Sequence, residues 1–172
     1  MKLQRELLAE DEPLPFAIEH ESGASPFFLT CDHGGRRLPR RLGDLGLPPA
    51  EFERHIAWDI GAAAVTSHLA DALDAFAIRQ IYSRLVIDAN RDPTVESSIV
   101  TLSELTEIPG NRGLSESQRA ARVREILVPY HDRIVAELDR RQASGRRRAR
   151  RSAQARWPGA SAIRSWRISI ST

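Results

Sequence analysis

Phe27-Phe28-Leu29-Thr30-Cys31-Asp32-His33-Gly34-Gly35-Arg36 is the stretch from which the fold is read. An uncharged run rich in β-formers leads straight into Asp-His and a pair of glycines. The pattern predicts a buried strand whose end delivers Asp32 and His33 to a rim. In α/β proteins, ligands and catalytic groups collect where strands give way to loops. Gly34 and Gly35 allow a sharp turn, at positive φ if required, and keep bulk away from the imidazole. His33 either serves a site or hydrogen-bonds its neighbours, and this stretch alone leaves both open.

Outward from that strand, 172 residues suit one domain with a sizeable core. The hydrophobic share of 41% and charged share of 28% are those of an ordinary globular protein. No apolar run reaches the ~18 residues of a membrane span. The start, MKLQRELLAEDEP, lacks the apolar core of a secretory signal. The lone Cys31 excludes an internal disulfide and suits a reducing compartment, so a cytoplasmic location is expected.

The net charge of +2 conceals a division. All 23 acids lie at or before Asp139 with 15 of the 25 basic residues, a balance of −8. From Arg140 onward stand ten arginines and no acid, a balance of +10. The pI of about 9.2 therefore belongs to the tail and does not mark a nucleic-acid-binding body.

Residues 1–25, broken by Pro13 and Pro15, read as a polar lead-in. Pro48-Pro49 before Ala50-Glu51-Phe52-Glu53 signals a helix start. If that helix continues, His55 and Asp59 share one face and either hold a metal or form a surface hydrogen bond. Val65, Leu69, Leu73 and Phe76 form an apolar stripe at helical spacing, with His68 beside it, facing solvent or packing. Ala77–Tyr82 and Leu85–Ile87 suit strands. After them, Arg84 and Arg91 offer planar forks for a carboxylate, or pair internally with Asp88 or Asp92. Residues 94–113 form a long polar loop. Ser115-Glu116-Ser117-Gln118 is a capping box. It opens an amphipathic stripe of Val123, Leu127, Tyr130, Ile134 and Leu138, which Pro129 is expected to kink. His131, beside Tyr130, reaches the same cleft or lies exposed. Arg146 onward carries a composition that stays solvated.

Cys31-Asp32-His33-Gly34-Gly35, His55-Ile56-Ala57-Trp58-Asp59-Ile60-Gly61, Tyr82-Ser83-Arg84-Leu85-Val86-Ile87-Asp88-Ala89-Asn90-Arg91, Ile108-Pro109-Gly110-Asn111-Arg112-Gly113 and Pro129-Tyr130-His131 follow in order. Together they resemble the N-formylglutamate amidohydrolase (N-formylglutamate deformylase-like) family over about residues 26–145. The resemblance implies an α/β fold related to zinc carboxypeptidases, a central mixed or parallel sheet flanked by helices. It implies zinc as cofactor, with His33 and Asp59 as ligands, since Arg36 stands where carboxypeptidases place a glutamate. It also implies that Asn90 and Arg91 clamp a glutamate-like carboxylate, helped by Arg84, Asn111 and Arg112. The reaction would be metal-assisted hydrolysis of a linear amide, the kind used in amino-acid and histidine catabolism.

The family pattern continues beyond the long helix to a His-Ser-Phe-Thr-Pro element, whereas this chain has no His after His131. The domain is therefore expected to be incomplete at its C-terminus, through a frameshift near Gly145 or as a non-catalytic remnant. Residues 146–172 are expected to form an irregular basic tail, mobile and unpaired with the sheet. Three functions stand side by side: an impaired amidohydrolase for N-acyl amino acids, a non-catalytic binder of small carboxylates, and a basic-tailed protein that binds nucleic acid or another partner. The small N-acyl amino acid is the expected partner, with no membrane and no nucleic acid.

Overall fold

The computed structural model describes residues 6–144. The expectations for the basic tail lie outside these residues.

Two strands at the heart of the fold pair in parallel, as their apolar sequences require. Chain order runs β1 (Phe16–Glu19), β2 (Phe28–Cys31), α1 (Ala62–Leu73), β3 (Phe76–Gln80), β4 (Leu102–Ser103), β5 (Thr106–Glu107), α2 (Glu116–Arg122) and α3 (Val128–Ala143). The main sheet has the order β1-β3-β2, with β1 antiparallel and β2 parallel to β3. It is thus a mixed sheet flanked by helices. The stretch expected to be a lead-in supplies β1, and its Leu7 and Leu8 are buried in the main core. Intermediate burial along all four β1 residues explains why no alternating pattern marked it.

The period-2 alternation of the strands sorts the core into two faces. On one, Phe28 opposes Phe76, their rings stacked at 5.3 Å, and Ile78, Ile126, Leu127, Tyr130 and Ile134 join them. On the other, Leu29 opposes Ala77 and meets Ala70 and Leu69 of α1. Thr66 and Ala70 are the buried residues of α1, while Val65 and Leu73 of the expected stripe are exposed and Phe76 belongs to β3. Small residues face the sheet because the helix lies close to it. His68 is exposed, as one of its two readings had it.

Two expected elements take another form. Leu85–Ile87 is buried yet is not a strand; side chains rather than a neighbouring strand satisfy its backbone. Asn111 Nδ2 donates to the carbonyls of Leu85 (2.8 Å) and Val100 (2.7 Å). Arg122 NH1 donates to the Val86 carbonyl and to Asn111 Oδ1, at 2.9 and 2.7 Å. Ser83 Oγ accepts from the Leu85 amide at 3.1 Å. Such pairing is obligatory for buried backbone groups. Pro48-Pro49 does open a helix, but only a 3₁₀ turn over Pro49–Glu53, so His55 and Asp59 share no helical face.

Gly35 is required by packing rather than by φ. A Cβ there would lie 2.1 Å from the Ile81 carbonyl oxygen, where the loop after β2 crosses the end of β3. Neither Gly34 nor Gly35 has positive φ.

The capping box at Ser115 forms as read, its Oγ accepting from the Gln118 amide at 3.2 Å while Gln118 Oε1 accepts from the Ser115 amide. α2 runs through a π-helical turn, Val123–Leu127, into α3. The stripe from Val123 to Leu138 packs on the sheet as expected. Farther along α3, Glu137 is wholly buried and accepts from Arg141 Nε at 2.6 Å and Arg140 NH2 at 2.7 Å. The Arg141 guanidinium lies 5.8 Å from the Phe28 ring centre and 5.9 Å from that of Phe76. Arg141 NH1 also donates to the Phe27 carbonyl at 3.0 Å, which ties α3 to the start of β2.

Candidate functional site

The site gathers where β2 and β3 end. β2 hands its chain to His33, which is 8% exposed, and the buried turn after β3 delivers Asp88 against it. His33 Nε2 and Asp88 Oδ1 are 2.6 Å apart, and on the other side of the ring Nδ1 lies 3.3 Å from Asp59 Oδ2. The Asp59 amide donates to the His33 carbonyl at 3.0 Å, which fixes the loop before α1.

Asp88 is the hub. Besides His33 it accepts from Arg84 NH2 at 3.0 Å, Arg91 Nε at 3.3 Å and the Asn90 amide at 2.9 Å. Arg84 NH1 reaches Asp59 Oδ1 at 3.1 Å, so one guanidinium bridges both carboxylates. The sequence offered Asp88 only as an internal partner for arginines. The missed signal is its own geometry: an Asp at a strand end whose Oδ accepts the amide two residues on fixes a turn.

The sequence-derived residues divide. His33, Asp59, Arg84 and Arg91 meet in this cluster, and Asn90 is exposed at its rim. Asn111 is buried and spends its amide on bracing backbone. Arg112 is an exposed partner of Glu107 at 2.7 Å. His55 pairs with Glu104 at 2.7 Å and stands apart, which favours the surface reading of that histidine. Arg36 pairs with Glu53 and lies 5.2 Å from the Trp58 ring centre. His131, half-buried, reaches toward the site through the Ala89 carbonyl.

Burial alone would raise the Asp88 carboxyl, but the His33 hydrogen bond and the charges of His33 and Arg84 hold it well below the usual range. Burial likewise opposes charge on His33, yet the bond and charge of Asp88 raise its pKa above the ordinary value. A depressed carboxyl contributes stability above its unfolded pKa of ~3.9 and loses it as pH falls through the folded value. A raised imidazole contributes fully below ~6.5 and loses its share as pH rises through the folded value. The pair should therefore stabilise most between about pH 4 and 6.5. Urea unfolding across pH 3–9 tests this: the wild type should show that maximum, and Asp88→Asn should flatten it.

The donors suit part of a metal's coordination shell. Among the described residues no group of three or more His, Cys, Asp or Glu converges to hold a metal. Two do converge: His33 Nδ1 and Asp59 Oδ2 face each other, while Asp88 takes the opposite ring nitrogen. A carboxylate on the far nitrogen is the usual support of a metal-ligating histidine. Asp88 and Asp59 lie on opposite edges of the ring, so they do not join His33 in one three-donor set. No helix among the described residues is long and apolar enough to cross a membrane.

Comparison with known proteins gives two findings. A sequence profile described as N-formylglutamate amidohydrolase matches residues 25–153. The crystal structure of gene product Atu2144 from Agrobacterium tumefaciens superposes with a TM-score of 0.79 at 37% identity, over 81% of this chain. The match covers 55% of that protein's chain, so this chain spans about half the length of its structural relative. No curated protein matches.

Proposed function

Because the chain belongs to the N-formylglutamate amidohydrolase family, we propose that its site binds an N-acyl amino acid, N-formylglutamate foremost, for hydrolysis of the acyl amide. The observation that carries this reading is the His33–Asp88 contact with Arg91 beside it. Arg91 is half exposed, yet its Nε is held by Asp88 and its NH1 by Ser97 Oγ at 3.1 Å. A guanidinium aimed in this way loses little freedom on meeting a substrate carboxylate. Asn90 on the same rim supplies an amide for the second carboxylate oxygen. Arg84 screens Asp59 and Asp88 from each other and from the anionic substrate.

His33 and Asp59 would hold zinc, with Asp88 fixing the imidazole from its other nitrogen. Bound there, zinc would polarise the scissile carbonyl and acidify a water. His33 must be neutral at Nδ1 to serve, so uptake of zinc should release a proton. The fold relation to zinc carboxypeptidases belongs to the same proposal. Asn111 and Arg112 drop out of the binding set, because each is committed elsewhere.

A second reading, a carboxylate binder without turnover, is favoured by one observation: only two donors converge at Nδ1 of His33. Formate release from N-formylglutamate, with and without added zinc, separates the two. Zinc-dependent release that vanishes in His33→Ala supports the hydrolase. Calorimetric binding of N-acetylglutamate without turnover supports the binder, and the absence of both would sink the shared site. In either case Arg91→Ala should weaken that binding by about 1.5–3 kcal/mol, the loss of a charge-assisted pair, with little change in melting temperature. Unchanged affinity in the folded variant would remove Arg91 from the site.

A further inference from the structure

The Pro129-Tyr130-His131 motif has so far found no role, and its contacts give it one. Tyr130 Oη donates to Asp32 Oδ1 at 2.8 Å. The next residue, His131, donates from Nε2 to the Ala89 carbonyl at 3.0 Å. Asp32 immediately precedes His33, and Ala89 immediately follows Asp88. One turn of α3 therefore grips both loops whose meeting makes the 2.6 Å His33–Asp88 contact, across 55 positions of sequence. Tyr130 is completely buried and packs edge-on to the His131 ring, with centroids 5.4 Å apart, so neither strut is free to swing.

The other end of the helix holds the other end of the same strand. Arg141 binds the carbonyls of Ser25 and Phe27. From Tyr130 to Arg141 a helix advances about 16 Å at ~1.5 Å per residue. From Phe27 to Asp32 a strand covers about the same distance at ~3.3 Å per residue. The two lengths match, so α3 fixes β2 at both ends and leaves no slack at the His33 end.

We infer that Tyr130 and His131 are positioning residues that set the separation of His33 and Asp88. The inference rests on the proposed reading of His33 and Asp88 as the working pair, but its test does not require hydrolysis.

The readout is the pair of imidazole ¹⁵N shifts of His33 in the full-length chain, at one pH near 5.5. Tyr130→Phe removes one hydroxyl and His131→Ala one donor; each should shift the His33 Nε2 signal toward that of an unbonded ring. His131→Gln, which keeps a donor at similar reach, should restore most of the wild-type position. Ser115→Ala breaks the capping box of α2, costs stability of a similar order, and should leave the signal in place. An unmoved signal in both Tyr130→Phe and His131→Ala overturns the inference. So does an equal shift in Ser115→Ala, which would make the effect one of general stability. Should His131→Ala fail to fold, Tyr130→Phe decides alone. Loss of formate release with an unmoved His33 signal would count against the hydrolase reading and against this inference together. A moved signal in a chain that never hydrolyses substrate leaves the inference standing.

Discussion

Glu137→Ala is expected to cost about 3–5 kcal/mol, the largest effect of any single substitution in the described part of the chain. The carboxylate is fully buried and meets Arg140 and Arg141 at 2.6–2.9 Å, with Arg133 NH1 at 3.7 Å. Arg140 is about half exposed and would turn to water. Arg141 has no such exit: its side chain is 7% exposed, and its NH2 already lacks a partner among the described residues. Removing Glu137 leaves that cation against the Phe28–Phe76 stack with only carbonyls for company. An uncompensated buried charge is the costly outcome, whereas loss of the whole pair need not be. Glu137→Met combined with Arg141→Met should therefore be much closer to wild type than Glu137→Ala alone. Urea unfolding followed by circular dichroism measures both. A loss below ~1 kcal/mol for Glu137→Ala would mean that Arg141 finds solvent, as exposed ion pairs do.

The second large effect falls on the site. Asp88→Asn keeps the size of the side chain but removes the charge that His33, Arg84 and Arg91 share. His33 loses its orienting anion, and Arg91 loses the bond that aims it. Loss of an outer-shell partner of this type lowers metal affinity or activity by about 10–100-fold, and the aim of Arg91 adds to that. We expect zinc and N-acetylglutamate affinities to fall together by at least the lower figure. Asp92→Asn is the control. Asp92 accepts from the Thr94 amide and hydroxyl in an exposed turn, and its change should leave both affinities alone. Equal losses in the two variants would show that the loop as a whole, and not Asp88, carries the effect.

Some of this architecture is plain in the sequence, because apolar periodicity and strand ends are local signals. β2, β3, the capping box at Ser115 and the stripe of α3 are written in short windows, and so is the approach of Arg84 and Arg91 to the rim. What escaped is non-local. Leu85–Ile87 has the composition of a strand, but Asn111 and Arg122 reach back 26 and 36 positions to satisfy its backbone. No pattern within the segment announces that. β1 was hidden by its flanking prolines and partial burial on both faces. His55 and Asp59 were paired by a helix that ends one turn too early, and Asp59 instead meets His33 across 26 positions. The resemblance to the family supplied what composition left open, the roles of His33, Asn90 and Arg91.

The π turn between α2 and α3 makes chain length itself a constraint. Val123–Leu127 closes with a wider loop than an α-helix uses, so it accommodates one surplus residue. Deleting any one of the five would let regular winding resume and would rotate everything after it by about 100°. Tyr130, His131, Glu137 and Arg141 would all turn off their partners in a single step, although none of them had been changed. Exposed side chains along this segment can vary freely, but the number of residues between Arg122 and Val128 cannot.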